Sequence, residues 1–188
     1  IFIGQGVQVL NRDNWRSLGM GQPNRRRLTF GLDAPASEED FGVVNGVLHE
    51  GSHGFARAAE LPIHGAHNLS NALAACALAR TLGVSRDALA SGLATFRGLP
   101  HRFQQVAMRR GIVWYDDSKG TNVGAAVAAL EGFATPVVLI AGGEGKGQDF
   151  TPLQSAFRGK VSHALLIGRD ARAIGDALAG VCPVHYHA

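Results

Sequence analysis

The 188-residue chain carries 18 Lys and Arg against 15 Asp and Glu, a net charge of +3, and 46% of its residues are hydrophobic. That balance is ample for one large or two small packed domains and excludes a disordered or fibrous chain. Its longest basic run, Arg25-Arg26-Arg27, lacks interleaved aromatics on which bases could stack, so no nucleic-acid partner is expected.

Short apolar runs at 7–10, 27–30, 41–44, 47–49 and 55–58, punctuated by Gly, Asn, Asp and Pro, predict a small antiparallel sheet. Asn45-Gly46 is its tight-hairpin dipeptide. Trp15 and residues 20–26 fall in the loops. From Gly65 the period becomes helical: Leu69, Ala72, Leu73, Cys76, Ala77 and Leu82 share a face, and Gly83 sits where a C-cap is expected. Ser85 then caps a second helix carrying Leu89, Leu93 and Phe96. The first helix opens on His67-Asn68-Leu69-Ser70-Asn71. Asn68 is placed to cap free backbone N–H groups; Asn71, three residues on and on the same side, is not explained by capping. The apolar stretch over 72–79 is too short to span a bilayer, so no membrane partner is expected. Only Cys76 and Cys182 are present and no secretory segment precedes them, which makes a reducing cytoplasm the expected location.

After the junction Leu99-Pro100 the chain alternates. Strands at 112–115, 137–141, 164–168 and 183–186 and helices at 123–130, 151–157 and 171–178 predict a parallel, Rossmann-like sheet. The expected fold class is therefore α/β, with a small antiparallel sheet plus helices over 1–98 and a parallel-sheet domain over 99–188. The chain begins at Ile1 without an initiator Met and stops at Ala188 just after an expected strand, so both ends are expected to be cut from something longer.

Three expected strands end in polar loops, 116–122, 142–149 and 168–170, and in a parallel sheet such loops share one edge, where ligands bind. The loop Gly142-Gly143-Glu144-Gly145-Lys146-Gly147 lacks the Walker A order, because Gly147 follows the Lys and no hydroxyl is there for magnesium. Its glycines still admit an anion to the backbone, and Lys146 supplies a point charge for a carboxylate or phosphate. Gly4-Gln5-Gly6 opens like a dinucleotide fingerprint, but the third glycine would fall on Val9. His49, His53, His64 and His67 have no zinc spacing and no Cys pair beside them, so no metal site is expected within this chain; His163, His185 and His187 read as structural or exposed. His101-Arg102 alone reads as a linker, Asp116-Asp117 as a turn, and Thr121 or Asn122 as an N-cap for the helix at Val123. Together, an Arg, a carboxylate, a Lys and two hydroxyls around one strand end and one hinge exceed what capping requires.

These same residues carry a family resemblance. Gly65-Ala66-His67-Asn68-x-x-Asn71-Ala72, Leu99-Pro100-His101-Arg102-Phe103, Asp117-Ser118-Lys119-Gly120-Thr121-Asn122 and Gly142-Gly143-Glu144-Gly145-Lys146, in this order, resemble the bacterial Mur ligases over nearly the whole chain. The resemblance implies an ATP-dependent amide ligase of cytoplasmic peptidoglycan precursor synthesis. ATP would activate the L-alanyl carboxylate of UDP-N-acetylmuramoyl-L-alanine as an acyl phosphate, and the amine of D-glutamate would attack it. By the same resemblance, residues 1–98 would be the later half of a central ATP-binding domain and 99–188 most of an amino-acid-binding C-terminal domain. Asn68 and Asn71 would meet the adenine, and Arg102 and Asp117 the ribose. Lys119, Thr121 and Lys146 would meet D-glutamate or the tetrahedral centre, with His101 beside it and His101 and Lys119 as the catalytic pair. The family's P-loop, its Mg²⁺ ligands and its carbamoylated Lys would lie upstream of Ile1, so the chain alone is expected to be inactive; the parent is expected to be a monomer. Three other readings stand beside this one: a sister ligase such as folylpolyglutamate synthetase or another Mur enzyme, a non-catalytic nucleotide-binding Rossmann module, and an interaction module with a basic face.

Overall fold

In the computed structural model, which describes residues 6–187, β1 (Gln8–Asn11) and β2 (Arg27–Phe30) pair in parallel. They can do so because the chain between them is long enough to cross over, carrying the short helix α1 (Trp15–Gly19). Asn14 starts that helix by accepting from the Arg16 and Ser17 backbone N–H groups at 2.9 and 3.2 Å, so Trp15 lies in a helix rather than a loop. β3 (Phe41–Val44) joins β2 in parallel, and β4 (Val47–Glu50) and β5 (His53–Arg57) complete the order β1-β2-β3-β4-β5. The antiparallel pairing expected for the whole sheet is thus confined to β3, β4 and β5. Asn45 and Gly46 turn β3 into β4 with φ of 50° and 75°, both left-handed, as the dipeptide predicts. Of the Gly4-Gln5-Gly6 run, Gly4 and Gln5 lie outside the described residues.

Two helices cover this sheet. α2 (Ala66–Thr81) buries Ala72, Leu73, Cys76 and Ala77, and α3 (Arg86–Thr95) buries Leu89 and Leu93, in one core with Leu28, Phe41 and Leu48. Leu82 and Phe96, assigned to the same faces from the sequence, are 84% and 45% exposed. Each is the C-cap residue, where the helical direction is already lost. Gly83 follows at φ 85°, and the bonds Gly83 N–H to Arg80 O and Val84 N–H to Ala79 O close the helix end in the expected left-handed manner. Ser85 caps α3 through the Ala88 N–H. The expected cap by Asn68 is not made. Gly65 holds the N-cap position, and the Asn68 amide instead donates to the His64 carbonyl at 2.8 Å. Beneath the helices, the buried carboxylate of Glu50 on β4 accepts from Arg80 of α2 at 2.8 Å and from Arg86 of α3. Burial, with the Glu50 charge nearby, pushes the Cys76 thiol up to about 12, which makes it an inert core group.

A second compact unit begins at Leu99. β6 (Gln104–Arg109) and β7 (Ile112–Asp116) form an antiparallel hairpin turned by Arg110 and Gly111, at φ 51° and 77°. β8 (Val137–Gly142), β9 (Val161–Ile167) and β10 (Val184–His187) form a parallel sheet in the order β10-β9-β8. β7 is therefore not the first strand of the parallel sheet, as its sequence position suggests. It satisfies its backbone by pairing with β6, whose polar sequence hides it. α4 (Val123–Glu131), α5 (Leu153–Phe157) and α6 (Ala171–Ala177) supply Leu130, Leu153, Phe157 and Ile174 to a core with Val161, Ala164 and Leu166 of β9. Phe103 stacks on Tyr115 at 5.0 Å and leans on Phe133 at 5.3 Å, which fastens the hairpin to the end of α4.

Candidate functional site

The elbow before β6 is laced to the loop after β7. Lys119 N–H donates to the His101 carbonyl at 3.0 Å, and Phe103 N–H donates to Asp117 Oδ1 at 3.0 Å. The Asp117 carbonyl in turn accepts from Gly120 N–H at 2.8 Å. His101 and Phe103 sit at φ 63° and 47°, a left-handed region that non-glycine residues occupy only when their surroundings hold them there. Next to them, Asp116 Oδ1 accepts from Ser118 N–H at 2.9 Å while Oδ2 faces His101 Nδ1 at 2.7 Å.

The Ser118 backbone N–H, then His101 and the Ser118 side chain, hold the Asp116 carboxyl down to about 2. A depressed carboxyl contributes stability that is present above the usual carboxylate range near 4 and lost as pH falls through about 2. A carboxyl-carbon NMR titration is expected to place the Asp116 midpoint near 2, and a midpoint near 4 would mean the turn is open in solution.

The glycine-rich loop leaves the end of β8 at a place where a side chain has no room. Gly142 lies at φ 146°, and a Cβ there would stand 1.8 Å from the Ile167 carbonyl oxygen. Gly143 N–H donates to that carbonyl at 3.0 Å, and the Gly143 carbonyl accepts from Asp170 N–H at 3.0 Å. Asp170 Oδ2 then accepts from Gly145 N–H at 2.5 Å, tying loop 142–149 to loop 168–170. Gln148 ties it the other way. Its Oε1 accepts from Val123 N–H at 3.0 Å, and its Nε2 donates to the carbonyls of Gly145 at 2.8 Å and Thr121 at 3.3 Å. The three strand-end loops are thus brought together as expected, although β7 is outside the parallel sheet.

Within this unit His101, Arg102, Lys119, Thr121 and Lys146 are exposed, and Asp117 is half-buried. Among the described residues the side chains of Arg102, Lys119 and Lys146 make no ion pair, whereas Arg169 is taken by Glu144 at 2.9 Å. Asn122 supplies the cap of α4, accepting from Ala125 N–H at 2.8 Å, which places Thr121 just before the cap. Asn68 and Asn71 belong to the first unit, in the opening turns of α2, with Asn71 exposed. The sequence reading gives Asp116, Gln148 and Asp170 no individual site role. The doublet Asp116-Asp117 was a visible signal, but nothing local distinguishes Gln148 or Asp170 from ordinary loop residues. Among the described residues no three His, Cys, Asp or Glu side chains are grouped to hold a metal ion, and no helix is long and apolar enough to cross a membrane.

Residues 101–188 match the family described as Mur ligase, glutamate ligase domain. The chain is 48% identical to the UDP-N-acetylmuramoylalanine–D-glutamate ligase of Nitrosomonas europaea over 184 residues, covering 95% of this chain and 39% of that protein. It is 50% identical over 194 residues to the enzyme of the same name from Aromatoleum aromaticum, covering 100% of this chain and 42% of that one. Among solved structures it shares its fold with MurF from Acinetobacter baumannii, at a TM-score of 0.75 and 21% identity over 98% of this chain and 43% of that one. A folylpolyglutamate synthase from Thermotoga maritima matches at 0.57 and 18%, over 87% and 41%. The chain spans about two fifths of the length of the curated relatives it matches.

Proposed function

We propose that the chain is part of a Mur ligase and serves the ATP-dependent joining of D-glutamate to UDP-N-acetylmuramoyl-L-alanine; the relatives it matches are named as UDP-N-acetylmuramoylalanine–D-glutamate ligases. The observation that carries this reading is Gln148, whose amide holds the Thr121 loop and the Lys146 loop to each other. A dicarboxylate whose amine must stay free to attack needs a fixed cation and a hydroxyl donor on one rigid edge. Lys146, exposed at φ 52° in a loop of glycines, offers the cation, and Thr121, beside the N-terminus of α4, offers the hydroxyl where the helix dipole also favours an anion.

Lys119 and His101, joined by a backbone hydrogen bond, flank the reacting centre in this reading. Asp117 spends one carboxylate oxygen on Phe103 N–H and keeps the other to accept from a ribose hydroxyl, with Arg102 beside it. Asn68 and Asn71 meet the adenine. Bound ATP supplies the phosphoryl group that activates the alanyl carboxylate. No Gly-x-x-x-x-Gly-Lys-Ser/Thr run occurs in the 188 residues, so the groups that hold phosphates and Mg²⁺ are assigned to the rest of the protein. The isolated chain is accordingly inert towards ATP. A cytoplasmic location, a monomeric protein and small-molecule partners belong to the same reading, with residues 1–98 as the ATP side and 99–188 as the amino-acid side.

The test is Lys146→Ala in the full-length protein, assayed with a panel of amino acids. The D-glutamate requirement should rise at least about ten-fold, the worth of one charge-assisted contact of roughly 1.5 kcal/mol, while ATP binding at equilibrium stays near wild type. Lost ATP binding with unaltered D-glutamate saturation would assign the glycine loop to the nucleotide instead. Turnover of another amino acid in preference to D-glutamate would move the protein to a sister ligase.

A further inference from the structure

The carboxylate of Asp116 has no part in the roles assigned above, yet it makes the shortest side-chain contact of the elbow, 2.7 Å from Oδ2 to His101 Nδ1. Both partners are held from behind. Asp116 ends β7 and cannot swing, because its Oδ1 accepts from Ser118 N–H at 2.9 Å. His101 is fixed by its backbone: its N–H donates to Gln104 Oε1 at 3.2 Å, its carbonyl accepts from Lys119 N–H at 3.0 Å, and its φ is 63°. The imidazole is 64% exposed and the carboxylate 29%, so the ring edge away from Asp116 is open. A carboxylate at this distance can only accept, so a neutral ring facing it carries its proton on Nδ1 and leaves Nε2 as an acceptor.

We propose that Asp116 is a positioning residue for His101: it fixes the imidazole as the Nδ1–H form, so that Nε2 takes the proton of the incoming amino acid's ammonium group. This rests on the reading of His101 as a neighbour of the reacting centre. The ammonium N–H bond breaks and its proton passes to Nε2, giving an imidazolium whose Nδ1–H still faces the Asp116 carboxylate, which offsets the new charge. The freed amine pair then forms the C–N bond as the bond from the activated acyl carbon to the phosphate oxygen breaks. The amine's second proton leaves with the phosphate, and the imidazolium returns its own to solvent. The low proton affinity of Asp116 supports the arrangement, since the carboxylate stays ionised well below neutral pH.

Asp116→Asn decides the matter because it is isosteric. The Asn oxygen must keep the Ser118 N–H, which turns its NH₂ group toward His101; Nδ1 must then accept, and the proton moves to Nε2. Imidazole nitrogen NMR on the histidine-labelled full-length protein should show Nδ1 protonated in the wild type and Nε2 protonated in Asp116→Asn, with Asp116→Ala returning a mixture of the two. In steady-state kinetics Asp116→Asn should lower kcat at least about ten-fold with the KM for ATP unchanged, and should add nothing to His101→Ala. A wild-type ring protonated on Nε2 overturns the proposal, as does a switched ring with unchanged kcat. Absence of ligase turnover in the wild-type protein would instead remove the functional reading, while the NMR result would still decide whether Asp116 sets the ring.

Discussion

Gly142→Ala is expected to cost the second unit about 4 kcal/mol or more, a large share of the roughly 5 to 15 kcal/mol typical of a folded domain. Two independent terms act at this position. The backbone sits at φ 146°, where an L side chain is strained, and the added Cβ would be 1.8 Å from the Ile167 carbonyl oxygen, which belongs to the neighbouring strand and cannot retreat. That carbonyl also accepts from Gly143 N–H, so any shift that relieves the overlap breaks the bond that starts the glycine loop. Denaturant unfolding followed by Trp114 fluorescence, in a background where the exposed Trp15 is replaced by Phe, would report this unit separately. An unfolding midpoint equal to that of the parent sequence would show that the loop does not leave the sheet in this conformation.

The second large effect is expected at Glu50, in the other unit. Its side chain is only 8% exposed and joins β4 to both helices by accepting from Arg80 and Arg86. Glu50→Ala leaves two guanidinium groups without their shared carboxylate and opens space beneath α2. Removing one partner of a buried pair commonly costs about 3 to 5 kcal/mol; because Arg80 and Arg86 are 28% and 39% exposed and can turn to water, about 3 is expected. Hydrogen exchange should locate the loss, with faster exchange across α2 and α3 and none across β8 and β9. Uniform protection equal to wild type would mean that the apolar core, not the ion pairs, sets the stability of this unit.

Much of the local architecture was legible in the residues because it depends on neighbours a few positions apart. Asn45-Gly46 specifies a left-handed two-residue turn, Ser85 and Asn122 reach the N–H groups three residues on, and Gly83 ends α2. The face of α2 carrying Leu73, Cys76 and Ala77 follows from spacing alone. The same holds for β8, β9 and β10, which are joined through α5 and α6 and are hence parallel.

Which distant groups meet follows from the folded chain alone. β6 alternates too weakly to announce itself, so the pairing that takes β7 out of the parallel sheet follows only from the folded backbone. β1 and β2 are parallel because of where the chain around α1 travels, which no dipeptide encodes. Asn68 has the identity of a cap, but Gly65 starts the helix earlier and the amide finds the His64 carbonyl instead. At the site, the residue types are readable without the fold: a Lys in a glycine loop, and a His-Arg pair ahead of an Asp-Asp-Ser-Lys run. The bonds that make these one edge, from Gln148 to Thr121, from Gly145 to Asp170 and from His101 to Asp116, link residues 15 to 27 positions apart through polar side chains. Such side chains carry no periodic signal, because on an exposed loop their cost of desolvation is small and any of several polar residues could stand there; only the folded backbone brings donor and acceptor within reach.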